Sequence, residues 1–338
     1  MKTGIRCFAG ANTSAGFYSG FDGIFKSRDR TFFIKGAPGV GKSELMKRIA
    51  KRQQAMGHQV SIFHCSSDPD SFDGVADHTI NAAIIDATPP HSYDPPLPGA
   101  SGTILSLGDY LNESALSGDV SKIREITEEI SAHFKSACLF LSAAKSMKDS
   151  VPVQINKRHA ERAANEVLCM LPILPGIGSR RTFFLAAHTC KGYVSYKNQF
   201  PKDKTIGIPA PFGEIDDFPI RKIAEGARLR GLEAILFLNP IAPSKADGVY
   251  LPDAEIFVTI HPESVCARSY EDVYSQSAPD SDAHTLYQSL TQKAEAALMG
   301  AKTLHDELER FYTPRMDFSR LIEAESRVTL AFDKLSAK

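Results

Sequence analysis

The chain has 338 residues, 43% of them hydrophobic, and a formal net charge of -1. That length accommodates two ordinary domains with sizeable cores, and the apolar share argues against a disordered chain. A near-neutral balance gives no long-range attraction to nucleic acid or anionic lipid, so neither is expected as a partner.

The opening segment "MKTGIRCFAGANTSAG" has no apolar core of signal-peptide length, and no stretch approaches the ~18 uninterrupted apolar residues of a membrane span. A cytoplasmic, soluble protein with no membrane association is expected. Cysteines at 7, 65, 138, 169, 190 and 266 are scattered without a CxxC pair and read as reduced thiols. No Cys/His set has the spacing of a zinc site.

The first strong element is "RTFFIK" from Arg30, rich in the aromatic and β-branched residues of a buried strand. "SELMKRIAKRQQAMG" from Ser43 has the spacing of an amphipathic helix closed by Gly57. Between them Gly36, Gly41, Lys42 and Ser43 satisfy GxxxxGK[ST], the phosphate-binding loop also called Walker A. The expected nucleotide-binding stretch is Gly36, Ala37, Pro38, Gly39, Val40, Gly41, Lys42, Ser43 and Glu44. Its glycines let backbone N–H groups turn inward around phosphate oxygens, and the helix start adds its positive end. Lys42 then reaches the β- and γ-phosphates, and the Ser43 hydroxyl ligates Mg²⁺.

Val60 to Phe63 reads as a second parallel strand that delivers His64, Cys65, Ser66, Ser67 and Asp68 to the sheet edge where ligands bind in doubly wound folds. Asp68 is the candidate for touching substrate or a magnesium-bound water. The run Asp68, Asp70, Asp73, Asp77 and His78 either holds a metal, positions a water, recognises a substrate or is ordinary turn chemistry. His64 and Cys65, adjacent in an extended segment, point to opposite faces and make no nucleophile pair. Ala82 to Ile85 is a further strand with Asp86 at its end. Asp86 is the expected Walker B carboxylate, holding the Mg²⁺ shell beside Ser43. His91 either relays a proton or satisfies a loop carbonyl. The loop "PPHSYDPPLPGASG", 89–102, is positioned to wall the site, and its prolines suit a preformed wall.

Residues 119–148 and 158–171 read as a helical hairpin, and "PILPGIG" at 172–178 marks a boundary between a domain of 1–175 and one of 176–338. Residues 283–309 and 317–335 repeat the hairpin, broken at Pro314. The second half repeats more than helices. A shift of 174 residues brings Ile34 onto Ile208, Gly39 onto Gly213, Ile49-Ala50 onto Ile223-Ala224 and Gly57 onto Gly231. Without a gap it continues to Phe63 on Phe237, Pro69 on Pro243 and Asp73-Gly74 on Asp247-Gly248. A shift of 176 sets Gly16 on Gly192. So many matches in one register mark a duplicated domain. The fold expected is α/β: two P-loop NTPase-like three-layer domains with mainly parallel sheets, each followed by a helical hairpin.

The copy has lost the loop chemistry. Gly36 has become Ala210, Gly41 has become Ile215, and Lys42 and Ser43 have become Asp216 and Asp217. Two carboxylates where phosphates would enter oppose triphosphate binding. The second half then serves as the built-in partner of an intramolecular pseudo-dimer, supplies a trans-acting arginine (Arg180, Arg181 or Arg221), or holds a second ligand with His188, Lys191, His261 and Glu263 as suspects.

Several stretches resemble a little-characterised bacterial family of tandem P-loop ATPase-like proteins, found mostly in Firmicutes. They are "FAGANTSAGFYSGFD", "FFIKGAPGVGKSELMKRIA", "FHCSSDPDSFDGV" and "IIDATPPHSYDPPLPGA" in the first half, with "HTCKGYVSY" and "ADGVYLPDAEIFVTIHPE" in the second. The resemblance covers nearly the whole chain and implies ATP handling by Gly36, Gly41, Lys42, Ser43 and Asp86. Members that keep a phosphate loop in both halves differ from this chain at Asp216 and Asp217. The reading is Mg²⁺-dependent ATP binding and hydrolysis, coupled to a conformational change or to a protein or small-molecule partner. No NKxD stretch favours guanine. The alternative is a small-molecule kinase with Asp68 or His64 as general base, and a third reading is a nucleotide-gated scaffold.

Overall fold

The computed structural model describes residues 4–89, 92–262, 266–276 and 281–337. Ahead of the glycine loop come β1 (Arg6–Phe8), the hairpin β2 (Gly10–Thr13) and β3 (Gly16–Ser19), the short helix α1 (Asp22–Phe25) and β4 (Arg30–Lys35). Helix α2 (Lys42–Ala55) leaves the loop, followed by β5 (Val60–His64), β6 (Phe72–Asp77), β7 (Ala82–Asp86) and β8 (Gly102–Ser106). Helices α3 (Val120–Asp149) and α4 (Lys157–Cys169) come next, with the two-residue strand β9 (Gln154–Ile155) between them.

Among the described residues, the second half runs through a matching series without an α-helical counterpart of α1. Its sheet elements are β10 (Arg180–Phe183), β11 (Ala186–Thr189), β12 (Gly192–Ser195), β13 (Thr205–Gly207), α5 (Phe218–Leu229), β14 (Ala234–Leu238), β15 (Ala246–Leu251) and β16 (Ile256–Thr259). It closes with β17 (Arg268–Ser269), β18 (Tyr274–Ser275), α6 (Ser281–Tyr312) and α7 (Leu321–Ser336).

Two six-stranded sheets form, ordered β1-β5-β6-β7-β4-β8 and β10-β14-β15-β16-β13-β17. In each, the third strand runs antiparallel to both neighbours and the other pairs are parallel. The duplication extends to irregularities. The register slips between Phe63 and His64 and again between Phe237 and Leu238. Asn81 and Glu255, non-glycine residues with φ of 52° and 56°, occupy equivalent turns 174 residues apart. Such left-handed residues carry strain, and its recurrence shows that one backbone solution was copied whole.

Strand alternation divides each sheet into two faces. In the first, Phe32, Ile34, Ile62 and Ile84 face outward to α2, while Phe33, Phe63, Ala83 and Ile85 face inward. In the second, Leu236, Val249 and Val258 face α4 and α5, while Ile235, Phe237, Tyr250 and Phe257 face inward. The two inward faces share one core, with Phe63 and Phe183 rings 4.9 Å apart. The three-layer domains expected from the sequence therefore do not form. The layers run helices, sheet, sheet, helices, because the aromatic inner face of each half is covered by the other half.

Equivalent residues meet where the halves join. Phe8 N–H donates to the Phe184 carbonyl at 2.8 Å and Phe184 N–H to the Phe8 carbonyl at 2.9 Å, and these residues are themselves 176 apart. An interface in which a residue pairs with its own counterpart is isologous, as at a two-fold axis.

The helical hairpins are a second correction. Helix α3 packs along α6 of the other half, through Ala137, Leu141 and Ala144 against Ala294 and Leu298. Small residues let the two axes approach closely. Helix α4 crosses to the second sheet and packs on α5, whereas α7 crosses back to α2, where Leu321, Ala324, Val328 and Phe332 are buried. Two matched hydrogen bonds fix the exchange: Asn156 N–H to the Val273 carbonyl and Asp317 N–H to the Tyr110 carbonyl, each 2.9 Å. Among the described residues, no helix is long and apolar enough to cross a membrane.

Candidate functional site

The loop between β4 and α2 lies at the carboxyl end of a parallel strand, with Gly39 at φ 73° and Gly41 at φ 89° just before the first turn of α2. Side chains rarely adopt these angles, so glycine is required at both places. Lys42 folds back over the loop, its Nζ donating to the Gly36 and Ala37 carbonyls at 2.9 Å each. Asp86 ends the adjacent strand, paired in register with Ile34. Its Oδ2 lies 3.8 Å from Lys42 Nζ, and both side chains are mostly buried. Oδ1 of Asp86 accepts from Thr88 N–H at 2.9 Å, which fixes the carboxylate. Ser43 Oγ accepts the Phe72 N–H at 2.9 Å, tying the helix start to β6.

The structure thus places Asp86 beside Lys42, with Ser43 next to that lysine in the first turn of α2. Hydroxyl and carboxylate are hard oxygen donors, and a site with only one or two protein ligands leaves the remaining positions to water and phosphate, which is how Mg²⁺ is commonly held. The residues present fit that ion.

Asp68 stands apart in the loop after β5. Its Oδ1 accepts from Asp70 N–H at 3.2 Å, its Oδ2 accepts from Ser71 Oγ at 3.1 Å, and Lys302 Nζ of α6 lies 3.6 Å away. The carboxylate run around it does not assemble into one cluster. Asp77 is buried beside His58 (2.7 Å) and Gln53 (2.8 Å). His78 faces Ser61 and Arg28, and Asp70 pairs with Lys191. The reason is β6, a strand that the sequence analysis did not identify: running antiparallel from Phe72 to Asp77, it carries its two ends to opposite ends of the sheet. His64 is enclosed as well. Its Nδ1–H donates to the Pro69 carbonyl at 2.7 Å, its ring stacks on Tyr196 at 4.5 Å, and burial holds its pKa below the ordinary value.

The described part of the proline-rich loop is anchored at the end of β4, immediately before the phosphate loop. Lys35 Nζ donates to the Tyr93 carbonyl at 2.8 Å, and Tyr93 stacks on Phe21. Pro90 and His91 lie outside the described residues, as does Glu263. What packs on the phosphate loop is the connection between α6 and α7. A Cβ on Gly39 would stand 2.5 Å from Thr313 Oγ1 and 3.2 Å from Glu309 Cβ, and one on Gly41 would meet Leu321 at 3.1 Å. Between Lys302 and Glu309 lies His305, half-exposed and 3.4 Å from Glu309, whose pKa is lowered first by desolvation and then, against the opposing charge of Glu309, by the positive charges of Lys302 and Lys42. Sequence reading missed Lys302, His305, Glu309 and Thr313. Their helical spacing was visible, but no local signal ties a distant helix to a loop.

The second loop is built differently. Helix α5 begins at Phe218, two residues later in the repeat than α2. Asp217, counterpart of Ser43, accepts the Ala246 N–H at 2.7 Å, and Ala246 is the counterpart of Phe72. The carboxylate has taken over the hydroxyl's structural bond and is neutralised by Arg221 at 2.7 Å. Asp216 accepts from Phe218 N–H at 3.0 Å. Asp86 has become Ile260, buried among the second-half core. Of the other candidate arginines, Arg181 pairs with Glu233 near the start of β10, and Arg180 is exposed on the same strand. His188 is buried against Glu295 at 2.8 Å, and His261 lies 3.7 Å from Asp247.

Fold and site together define an α/β protein with two matched, mostly parallel sheets and one glycine loop backed by a lysine and a carboxylate. No family model matches the chain, and no curated protein or solved structure is detectably similar to it.

Proposed function

We propose that the chain binds ATP with Mg²⁺ at the loop Gly36–Ser43 and hydrolyses it, using the second half as a fixed structural partner. The observation that carries this reading is the convergence of Lys42 on Asp86 at 3.8 Å beside a loop with two left-handed glycines at a helix start. The Lys42 ammonium donates to the carbonyls of Gly36 and Ala37 within the loop. A phosphate oxygen offers a stronger, charged acceptor, and loop amides are free to join it. Ser43 and Asp86 would hold a magnesium ion, which would supply charge neutralisation for the phosphates.

In hydrolysis the water oxygen bonds to the γ-phosphorus as the bond to the β-bridging oxygen breaks, and the water's proton passes to Asp68 or to the departing phosphate. Lys42 and the amides stabilise the charge that moves onto those oxygens. Kinase chemistry loses one of its two candidate bases, because His64 is enclosed by Tyr196, Phe72 and Phe8. Phosphate release from Mg·ATP, compared between the intact chain and Lys42→Ala, tests the reading. Turnover that drops at least about 100-fold in the variant supports it; turnover at an equal rate in both proteins rules the loop out.

A further inference from the structure

The loop after β5 is held by the second half at three points. Cys190 N–H donates to the Ser67 carbonyl at 3.3 Å, Lys191 pairs with Asp70, and Lys302 stands 3.6 Å from Asp68. The first of these has a twin, Ser14 N–H to the Ile241 carbonyl at 3.0 Å, so it belongs to the duplicated scaffold. The Asp68–Lys302 pair has none. Asp68 becomes Ala242 at the shift of 174. Counting back from the equivalent contacts Ile155 and Met316, a shift of 161, Lys302 becomes Leu141, which is fully buried. Where the phosphate loop has been lost, both members of the ion pair are gone; where it is kept, both are present.

The geometry of α6 says what the pair faces. Lys302, His305 and Glu309 recur at helical spacing, so they share one face of α6, which runs from Asp68 to Gly39 of the phosphate loop, where Thr313, just past the helix end, also packs. Lys302 is only a quarter exposed, and Asp306 on its own helix holds it more closely than Asp68 does. At 3.6 Å the Asp68 contact is a loose ion pair, beyond ordinary hydrogen-bond length, and is readily exchanged. A terminal phosphate carries more charge and more acceptor oxygens than one carboxylate.

We infer that Lys302, supplied by the half without a phosphate loop, recognises the terminal phosphate of a nucleoside triphosphate held by the other half, releasing Asp68 as it does so. The inference rests on the nucleotide reading above. Lys302 thereby distinguishes triphosphate from diphosphate, and the freed Asp68 carboxylate becomes available to a water. The second half contributes its chemistry through α6 and not through its own loop.

Calorimetry on the full chain with Mg²⁺ tests this, using ADP and a non-hydrolysable ATP analogue as the two probes. Lys302→Met is expected to weaken the analogue about tenfold while ADP affinity stays within about twofold, and Lys302→Arg to restore most of the difference. Asp68→Asn, which removes the competing carboxylate, is expected to tighten the analogue and leave ADP alone. Equal changes for both probes, or none, in Lys302→Met would show a merely structural ion pair and overturn the inference while leaving the nucleotide site standing. Failure of the unaltered chain to bind either probe would overturn the inference and the nucleotide reading together.

Discussion

The two loops at 36–43 and 210–217 occupy equivalent places in the two sheets and use opposite chemistry. In the first, a hydroxyl at Ser43 accepts a β6 amide and the neighbouring lysine is left to reach over the loop. In the second, a carboxylate at Asp217 accepts the matching β15 amide, and its charge is cancelled by Arg221. The amide-to-side-chain hydrogen bond that joins helix to strand survived while the phosphate chemistry did not. A scaffold hydrogen bond and a ligand contact can thus share one residue and still be separated by substitution, provided that the new side chain keeps an acceptor.

Substitutions that act on one half and not its twin sharpen this comparison. The largest effect on stability is expected from Phe332→Ala in α7. Its ring is buried against the first sheet, 6.2 Å from Phe32, although it stands at the far end of the chain. The loss should be about 3–5 kcal/mol in a denaturant titration. Leu168→Ala in α4 is expected to cost about 2–5 kcal/mol through the second sheet. If Phe332→Ala cost under about 1 kcal/mol, the exchanged-helix packing would be wrong.

Next comes the amide shared by the two loops. Asp217→Ala strands the buried Ala246 N–H and should destabilise by about 1–3 kcal/mol. Asp217→Ser, which installs the first-half residue, should recover part of that in thermal unfolding. Equal destabilisation by Ala and Ser would mean that the charge on Arg221, and not the amide, is what Asp217 serves.

The smallest effect is a difference in acid sensitivity. His64 becomes Leu238 in the second half. Burial depresses the His64 pKa, so as pH falls through about 6.5 the unfolded chain takes up a proton that the folded chain refuses. Stability is therefore lost on acidification from neutrality through that value, down to the folded pKa, and the slope ends below it. His64→Leu, compared with the intact chain across pH 5 to 7.5, should show a shallower decline over this window. Parallel curves would contradict a neutral, buried His64.

Much of the fold was legible because the duplication leaves marks that local physics preserves: glycines at Gly39, Gly57, Gly213 and Gly231 with positive φ, and the Asp-Gly pairs within β6 and β15. The placement of Asp86 next to Lys42 followed from an apolar run ending in an acid. Strand β6 was missed because "FDGVAD" carries two aspartates and a glycine, although its residues are mostly buried between two neighbours. The α/β/β/α layering was missed because an apolar inner strand face reads the same whether a helix or another sheet covers it. The roof over the phosphate loop could not be read at all. Its residues lie more than 250 positions from the loop, as the Thr313–Gly39 contact at a separation of 274 illustrates, and nothing in the sequence of a surface helix names the element it covers.

The most direct test of the account is the number of nucleotides bound per chain, measured by calorimetry with Mg·ATP analogue on the intact chain and on Lys42→Ala. One site per chain, weakened about 100-fold or more by Lys42→Ala and untouched by Asp216→Ala, is the result expected of one working loop and one structural copy. Two sites per chain, or one that survives the loss of Lys42, would contradict it.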